Sequence, residues 1–410
     1  MHVLLIHQAF ASINEPGGTR HHEFARELAA HGHQVTIIAS PVSYLTGSAR
    51  HNRWCVEERD GEHITILRAY TYAAFHKSFI HRVFSFFSFM ISSFFIGLGV
   101  DHVDVVWGTS PPIFQGFTAW LLARLKGARF LFEVRDLWPA FAIAVGVLKN
   151  KFLIGLSTWL EKFLYARADV VMINSPGFRQ HVQQRGAKDV VLIPNGADPD
   201  MFAGADGDAF RNAHNLVDKF VVMYTGAHGL SNDLGVLLSA ADLLKNDPAI
   251  QFVLVGDGKE KQHLVMAAQE MGLTNVLFLP SVPKNRMAEV LAASDACVAI
   301  LKPLDLYQTT YPNKVFDSMA AGKPVLLCID GVIRQVVEAA GAGIFCQPGD
   351  PVALADATRW MSAHPDEAAA MGDNGRKYLK QNFNRSQTAR ELMDLLLRLA
   401  GEYGRKSTGS

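Results

Sequence analysis

Short apolar runs rich in β-branched residues recur along the chain, separated by stretches in which apolar positions return every three or four residues. That alternation predicts parallel sheets with crossover helices, because a parallel strand is covered on both faces and reads as a continuous apolar run. In the first half the runs are Val3–His7, Val35–Ala39, Ile64–Leu67, Val103–Trp107, Phe130–Val134, Val170–Ile173 and Val190–Ile193. The pattern then restarts with Val221–Tyr224, Gln251–Val255, Val276–Leu279, Ala296–Ile300, Pro324–Cys328 and Gly343–Phe345, separated by helical stretches such as Leu234–Lys245 and Lys259–Met271. Two successive α/β lobes follow from this. Turn formers at Pro194-Asn195-Gly196-Ala197-Asp198 mark the hinge.

The expected organisation is two Rossmann-like domains, 1–196 and 197–383, facing across a cleft. A C-terminal amphipathic helix within 384–403 is expected to cross back to the first, and 404–410 to form a flexible polar tail. Open α/β sheets bind ligands beyond the carboxyl ends of their strands, so function is expected on the loops lining that cleft.

Composition narrows the partners. At 410 residues the chain exceeds what one hydrophobic core supports. Its 39 basic and 39 acidic residues balance, which gives no reason to expect nucleic acid as a partner. Cys55, Cys297, Cys328 and Cys346 form no CxxC pair, and the histidines form no HxxxH or HExxH arrangement, so neither a metal nor a cofactor is expected. The first residues, Met-His-Val-Leu-Leu-Ile-His, read as a buried strand and lack the features of a signal peptide, which suggests a reduced, cytoplasmic protein.

Residues 83–100 stand apart, being uncharged and holding six phenylalanines. Their length approaches that of a spanning helix, but strand candidates on both sides need the same lobe and so the same side of any membrane. Ser85, Ser88 and Ser92 make a weakly polar stripe. The remaining alternatives are a helix buried in the first lobe and one whose aromatic face, with Phe84, Phe86, Phe87 and Phe94, dips into a bilayer interface. The second is the expectation, with His76, Lys77, His81 and Arg82 near the headgroups.

Two loops carry candidate chemistry. Gly17 and Gly18 follow the first strand and open a helix, where amides and the helix dipole suit a phosphate; the alternative is an ordinary glycine turn. The second loop, Tyr307-Gln308-Thr309-Thr310-Tyr311, leads through Pro312 into a helix that ends at Gly322-Lys323-Pro324. Lys314 and Asp317 lie in its early turns. The cation suits a leaving diphosphate and the carboxylate a ribose diol, although a solvated first turn would carry the same residues.

The order of these motifs resembles glycosyltransferase family 4, retaining enzymes of the GT-B fold. The resemblance runs from the Gly-Gly loop and Phe24–Val35, through Val191–Asp198, to Val255-Gly256-Asp257-Gly258 and the Pro312–Val325 segment. Glu133-Val134-Arg135-Asp136-Leu137-Trp138-Pro139, Tyr224-Thr225-Gly226-Ala227-His228-Gly229 and Pro312–Asp317 resemble the branch that transfers fucosamine or N-acetylhexosamine in O-antigen and capsule assembly. The resemblance implies transfer of an N-acetylated or deoxy hexose, with retention and without a metal, from a nucleotide-sugar, expected to be UDP-linked. The implied acceptor is a lipid-linked saccharide or polysaccharide, reached at the inner face of the cytoplasmic membrane. It also implies donor contacts from Gly17, Gly18, Gly226, His228, Thr309, Thr310, Tyr311, Lys314 and Asp317.

Three departures qualify the pattern. Where the family has a first glutamate this chain has Thr309, and Asp317 stands for the second. Arg135-Asp136 replaces a His-Asp pair, with Asp136 a candidate acceptor-orienting or base residue and a structural ion pair with Arg135 the alternative. The usual lysine of the Gly226–Gly235 loop is absent, so Lys314, Arg135 or Arg20 is expected to supply its charge. A nucleotide-sugar epimerase of the same fold and a non-catalytic membrane scaffold are the rival functions.

Overall fold

The computed structural model describes residues 1–43, 47–73 and 79–407. His76, Lys77 and residues 408–410 of the tail lie outside the described residues. The chain forms two compact units. The first comprises Met1–Ser12, Gly17–Pro194 and the chain from Ser386 onward; the second comprises Ile13–Pro16 and Asn195–Arg385. The division falls after Pro194, two residues before the expected boundary, and four residues of the first loop group with the second unit.

The first unit is built on an eight-stranded sheet. Its strands are β1 (His2–Ile6), β2 (Gln34–Ala39), β3 (Cys55–Arg59), β4 (Ile64–Ala69), β5 (Val105–Ser110), β6 (Arg129–Val134), β7 (Val170–Ile173) and β8 (Val190–Leu192). They lie in the order β3-β4-β2-β1-β5-β6-β7-β8, and every pairing is parallel except β3 with β4. Strand β3, Cys-Val-Glu-Glu-Arg, was not expected. It is an edge strand with no buried residue, so it lacks the apolar run that marks the others.

Five helices of this unit matter here: α1 (Arg20–Ala30), α2 (Phe79–Leu98), α3 (Phe114–Lys126), α4 (Ala140–Ala144) and α5 (Lys151–Arg167). Crossover connections in parallel sheets are right-handed. The step from β1 to β2 runs one way along the sheet, whereas the steps from β4 to β5, β5 to β6 and β6 to β7 run the other way. Helix α1 therefore covers one face, and α2, α3 and α5 cover the opposite one. On the face of α1, Phe24 and Leu28 pack with Val3, Leu5 and Val35, and with Leu392, Leu396 and Leu399 of the C-terminal helix Arg385–Ser407.

The second unit has six strands: β9 (Phe220–Thr225), β10 (Ile250–Val255), β11 (Val276–Leu279), β12 (Ala296–Ile300), β13 (Val325–Cys328) and β14 (Gly343–Phe345). Their order is β11-β10-β9-β12-β13-β14, all parallel. From β9 the chain builds outward through β10 to β11, then returns to place β12 on the other side of β9. The loops after β9 and β12 thus diverge at a topological switch point, where sheets of this kind hold ligands.

Helix α2 is long and apolar enough to cross a membrane by length and composition. It leaves β4 and returns to β5 within one sheet, which rules out a span. Its orientation differs from a core helix. Ser85, Ser92 and Ser93 face the protein and are buried, while Phe84, Phe87, Ile91, Phe95 and Leu98 are exposed. The serines can lie inward because their hydroxyls donate to carbonyls: Ser92 to Tyr70 O at 2.6 Å and Ser93 to Phe89 O at 2.5 Å. Ser88 accepts from the Tyr72 amide at 2.9 Å. Phe86 and Phe94 are half-buried, and the rings of Phe86 and Phe87 lie 5.7 and 5.5 Å from Phe114.

Candidate functional site

At the switch point of the second unit, Lys314 reaches from the first turn of the helix Asn313–Ala320 to the loop after β9. Its Nζ lies 3.0 Å from the Tyr224 hydroxyl and 3.0 Å from Asn232 Oδ1, and 4.2 Å from the centre of the Tyr224 ring. Tyr224 in turn donates to Ala227 O at 2.8 Å. Both acceptors of Lys314 are neutral, and an ammonium has three protons to place. Burial lowers this amine from the ordinary 10.5 to about 7. Near pH 7 the amine is thus about half protonated, and among the described residues no carboxylate pairs with it, so an anion arriving here would favour its charged form.

The glycines beside it bring two backbones together. A Cβ at Gly256 would fall 1.8 Å from Gly226 O, and one at Gly258 would fall 2.5 Å from His228 O, so the loops after β9 and β10 stack as bare main chain. The His228 amide donates to Asp257 O at 2.8 Å. Its ring is fully buried, and among the described residues neither ring nitrogen has a partner. Burial, then Lys261 and Lys314, hold the imidazole at about 4, with Asp257 opposing, so it is neutral near pH 7. A neutral imidazole keeps one donor and one acceptor.

The remaining expected donor residues fare differently. Thr309 Oγ1 donates to Leu306 O at 2.6 Å and Thr310 Oγ1 to Tyr307 O at 2.8 Å, so both close the turn before the helix. Tyr311 packs its ring 5.6 Å from Phe316 and 5.9 Å from Phe383, and its carbonyl accepts from Asn195 Nδ2 at 2.7 Å. These contacts give Tyr311 to packing. Asp317 does not stand beside Lys314: its carboxylate pairs with Lys284 Nζ at 2.6 Å. The i, i+3 spacing put both on one helix, and Lys284, from the turn that leads into the preceding helix Met287–Ala292, takes the acid away. Neither Lys284 nor Asn232 carried a signal in the sequence.

The other candidates lie in the first unit. Gly17 and Gly18 precede α1, whose N-cap Thr19 makes no capping bond and instead donates to Glu23 at 2.5 Å. Arg20 is excluded as a free cation. Its Nε pairs with Glu133 at 3.2 Å, and its two terminal nitrogens donate to Pro194 O and Ile193 O at 2.7 Å each. His21 donates to the other Glu133 oxygen at 2.5 Å, and His22 pairs with Asp60 at 2.6 Å. Arg135 donates to Thr109 Oγ1 and Pro111 O at 2.8 Å each rather than to Asp136, so the alternative ion pair is not formed. Asp136 has an accessible surface, yet the protein crowded around its carboxyl raises it to about 6 against the opposing pull of Arg135.

Similarity to known proteins covers most of the chain. Residues 17–196 match the Glycosyl transferase 4-like domain, and residues 206–378 match Glycosyl transferases group 1. The colanic acid biosynthesis glycosyl transferase WcaI of Escherichia coli is 26% identical over 388 residues, covering 91% of this chain and 94% of WcaI. Sucrose-phosphate synthase from Thermosynechococcus elongatus shares the fold with a TM-score of 0.78 at 20% identity, over 98% of this chain and 99% of that one. HepE of Anabaena in complex with UDP-glucose shares it with a TM-score of 0.71 at 16% identity, over 97% of this chain and 100% of that one. A family 4-like domain followed by a group 1 domain, each on its own Rossmann-like sheet, makes this chain a glycosyltransferase of the GT-B fold.

Proposed function

We propose that this enzyme transfers an N-acetylated or deoxy hexose from a UDP-linked donor, with retention of configuration, to a lipid-linked saccharide or polysaccharide acceptor in bacterial surface polysaccharide synthesis. The observation that carries the donor half is the Lys314 amine between bare-backbone loops, paired with no carboxylate among the described residues. As the sugar departs, negative charge grows on the nucleotide diphosphate, and a preorganised cation with nearby amides stabilises that charge without reorganising. The departing phosphate takes the acceptor proton, so no protein nucleophile is assigned. Arg135 and Asp136 are assigned to the acceptor side, and neither a metal nor another cofactor is assigned.

The name of WcaI refers to colanic acid biosynthesis and the HepE structure holds UDP-glucose, which supports the polymer and the nucleotide respectively. A lipid-linked acceptor implies peripheral contact with the inner face of the cytoplasmic membrane, through residues 83–100. The test is a thermal-shift screen with UDP-, GDP- and dTDP-sugars, repeated with Lys314→Ala and Asp317→Ala. UDP-sugars should stabilise the parent and not the Lys314 variant. Unchanged binding in both variants would remove the donor site. Turnover that persists in a chelator, with a product of unchanged anomeric configuration, checks the rest.

A further inference from the structure

Both outer helices of the layer formed by α2, α3 and α5 present large apolar residues outward. On α5, as on α2, polar residues lie on the buried face, beside Leu160, Leu164 and Tyr165 on α5 and Phe89 on α2, while a stripe of large apolar residues faces out. Ser157 and Glu161 are buried, whereas Phe152 is 76% exposed and Trp159 57% exposed, with Leu156 exposed between them. Positions 152, 156 and 159 lie one helical turn apart and make a single stripe. Helix α3 fills the floor between the two stripes. Trp120 and Phe117 lie 4.7 and 6.2 Å from Phe163 of α5, Trp159 stacks on the same ring at 5.4 Å, and Thr118 reaches Met90 O of α2 at 3.4 Å. Ile143 and Val147, just before α5, are exposed as well.

Charge decides what fits this face. Residues 79–100, 114–126 and 140–167 contain Arg82, Arg124, Lys126, Lys149, Lys151, Lys162 and Arg167, and a single acid, Glu161. That acid is fully buried and answered by His181 at 2.7 Å and Arg185 at 2.8 Å, so no carboxylate of these segments reaches the surface. Beyond them, among the described residues, only the exposed Asp101 that follows α2 opposes a cation, Lys126, so an apolar face rimmed mainly by cations disfavours a second copy of itself. It complements a surface that is apolar inside and anionic at its boundary.

We propose that α5, with the segment leading into it, is the second half of a bilayer-docking surface, and that its partner is an anionic phospholipid leaflet. The proposal rests on the membrane reading of residues 83–100 and extends it to a second helix. Because α2 and α5 flank α3 on one face of one sheet, the two stripes enter the interface side by side, and the protein lies on the bilayer without crossing it.

The test uses the full chain with vesicles of phosphatidylglycerol and phosphatidylethanolamine, and with phosphatidylcholine vesicles as the neutral arm. One variant carries Phe152→Ser, Leu156→Ser and Trp159→Ser, and another Phe84→Ser, Phe87→Ser and Phe95→Ser. Each should lower the partition coefficient at least tenfold while keeping the thermal shift with UDP. Lys149→Gln, Lys151→Gln and Lys162→Gln together should weaken binding to the anionic vesicles and leave the neutral arm unchanged. If the α5 variant misfolds, brominated lipid quenching of the parent, compared with Trp159→Phe, reads the same contact. Loss in the α2 variant alone overturns the second helix and keeps the first. A parent that ignores vesicles overturns both readings. A concentration-dependent dimer abolished by the α5 substitutions assigns the face to a second copy and overturns the lipid.

Discussion

Each unit places a buried charge near the carboxyl end of its sheet, and the two are treated in opposite ways. In the first unit Glu133 is fully buried with both oxygens engaged, one by Arg20 and one by His21. Burial alone would raise its carboxyl, but His21, Arg20 and Arg135 hold it at about 2. Burial lowers His21 while Glu133 opposes that shift, and Arg20 supplies the permanent charge. In the second unit, among the described residues, Lys314 meets only a phenol and an amide oxygen. A charge answered by its own chain stabilises the fold; a charge left to neutral partners keeps its attraction for something that arrives. The first cluster is therefore structural, and the second is where binding energy can be realised.

Breaking the Glu133 cluster should have the largest effect. Glu133→Gln leaves Arg20 buried without its counter-ion and should cost about 3–5 kcal/mol of stability, read by urea denaturation. Its pH signature is acidic. The carboxyl is held below its ordinary 4.5, so its contribution is complete above that value and is lost as the pH falls through about 2.

Lys314→Ala should do the reverse. It should lower kcat by roughly 100- to 1,000-fold, as removal of a preorganised charge-stabilising group does, while leaving thermal stability unchanged or higher. A variant as destabilised as Glu133→Gln would erase the distinction between the clusters.

The parent itself offers a subtler check. An arriving diphosphate raises the Lys314 amine above its free value of about 7, so binding takes up a proton at pH values between that and the higher value of the bound amine. The affinity for UDP should fall by up to about tenfold per pH unit above 7, and calorimetry in buffers of different ionisation enthalpy should register the proton. A pH-independent affinity between 7 and 9 would show that the cation never meets the nucleotide.

His228→Asn comes last. Among the described residues the imidazole has no hydrogen-bond partner, so stability should barely change, whereas loss of one ligand hydrogen bond should weaken UDP binding by roughly tenfold, about 1.4 kcal/mol.

The sheets were legible in the sequence because each buried parallel strand is an unbroken apolar run. Strand β3 escaped because an antiparallel edge strand can be largely polar. Lys314 was legible as a cation in a helix's first turn. Its tether to Asn232 and the capture of Asp317 by Lys284 were not, since those contacts join residues 82 and 33 positions apart. The serines of α2 show what the sequence left open. Their recurrence suggested a weakly polar stripe, but a serine can satisfy its hydroxyl on a nearby carbonyl and lie against the sheet, so polarity alone does not decide which face points outward.

The C-terminal helix sets the order in which the protein can be made. The chain leaves the first unit after Pro194 and returns to it at Ser386. On return it contributes Ala389, Leu392, Leu396 and Leu399 to the core beside β1, β2 and α1. During synthesis, the face of the first sheet that carries α1 stays uncovered there while the whole second unit is translated. At about 5–20 residues per second, some 200 residues take roughly 10–40 seconds to emerge. Although it begins at the N-terminus, the first unit is the last to be completed, and a nascent chain stalled before residue 386 should be a client for chaperones.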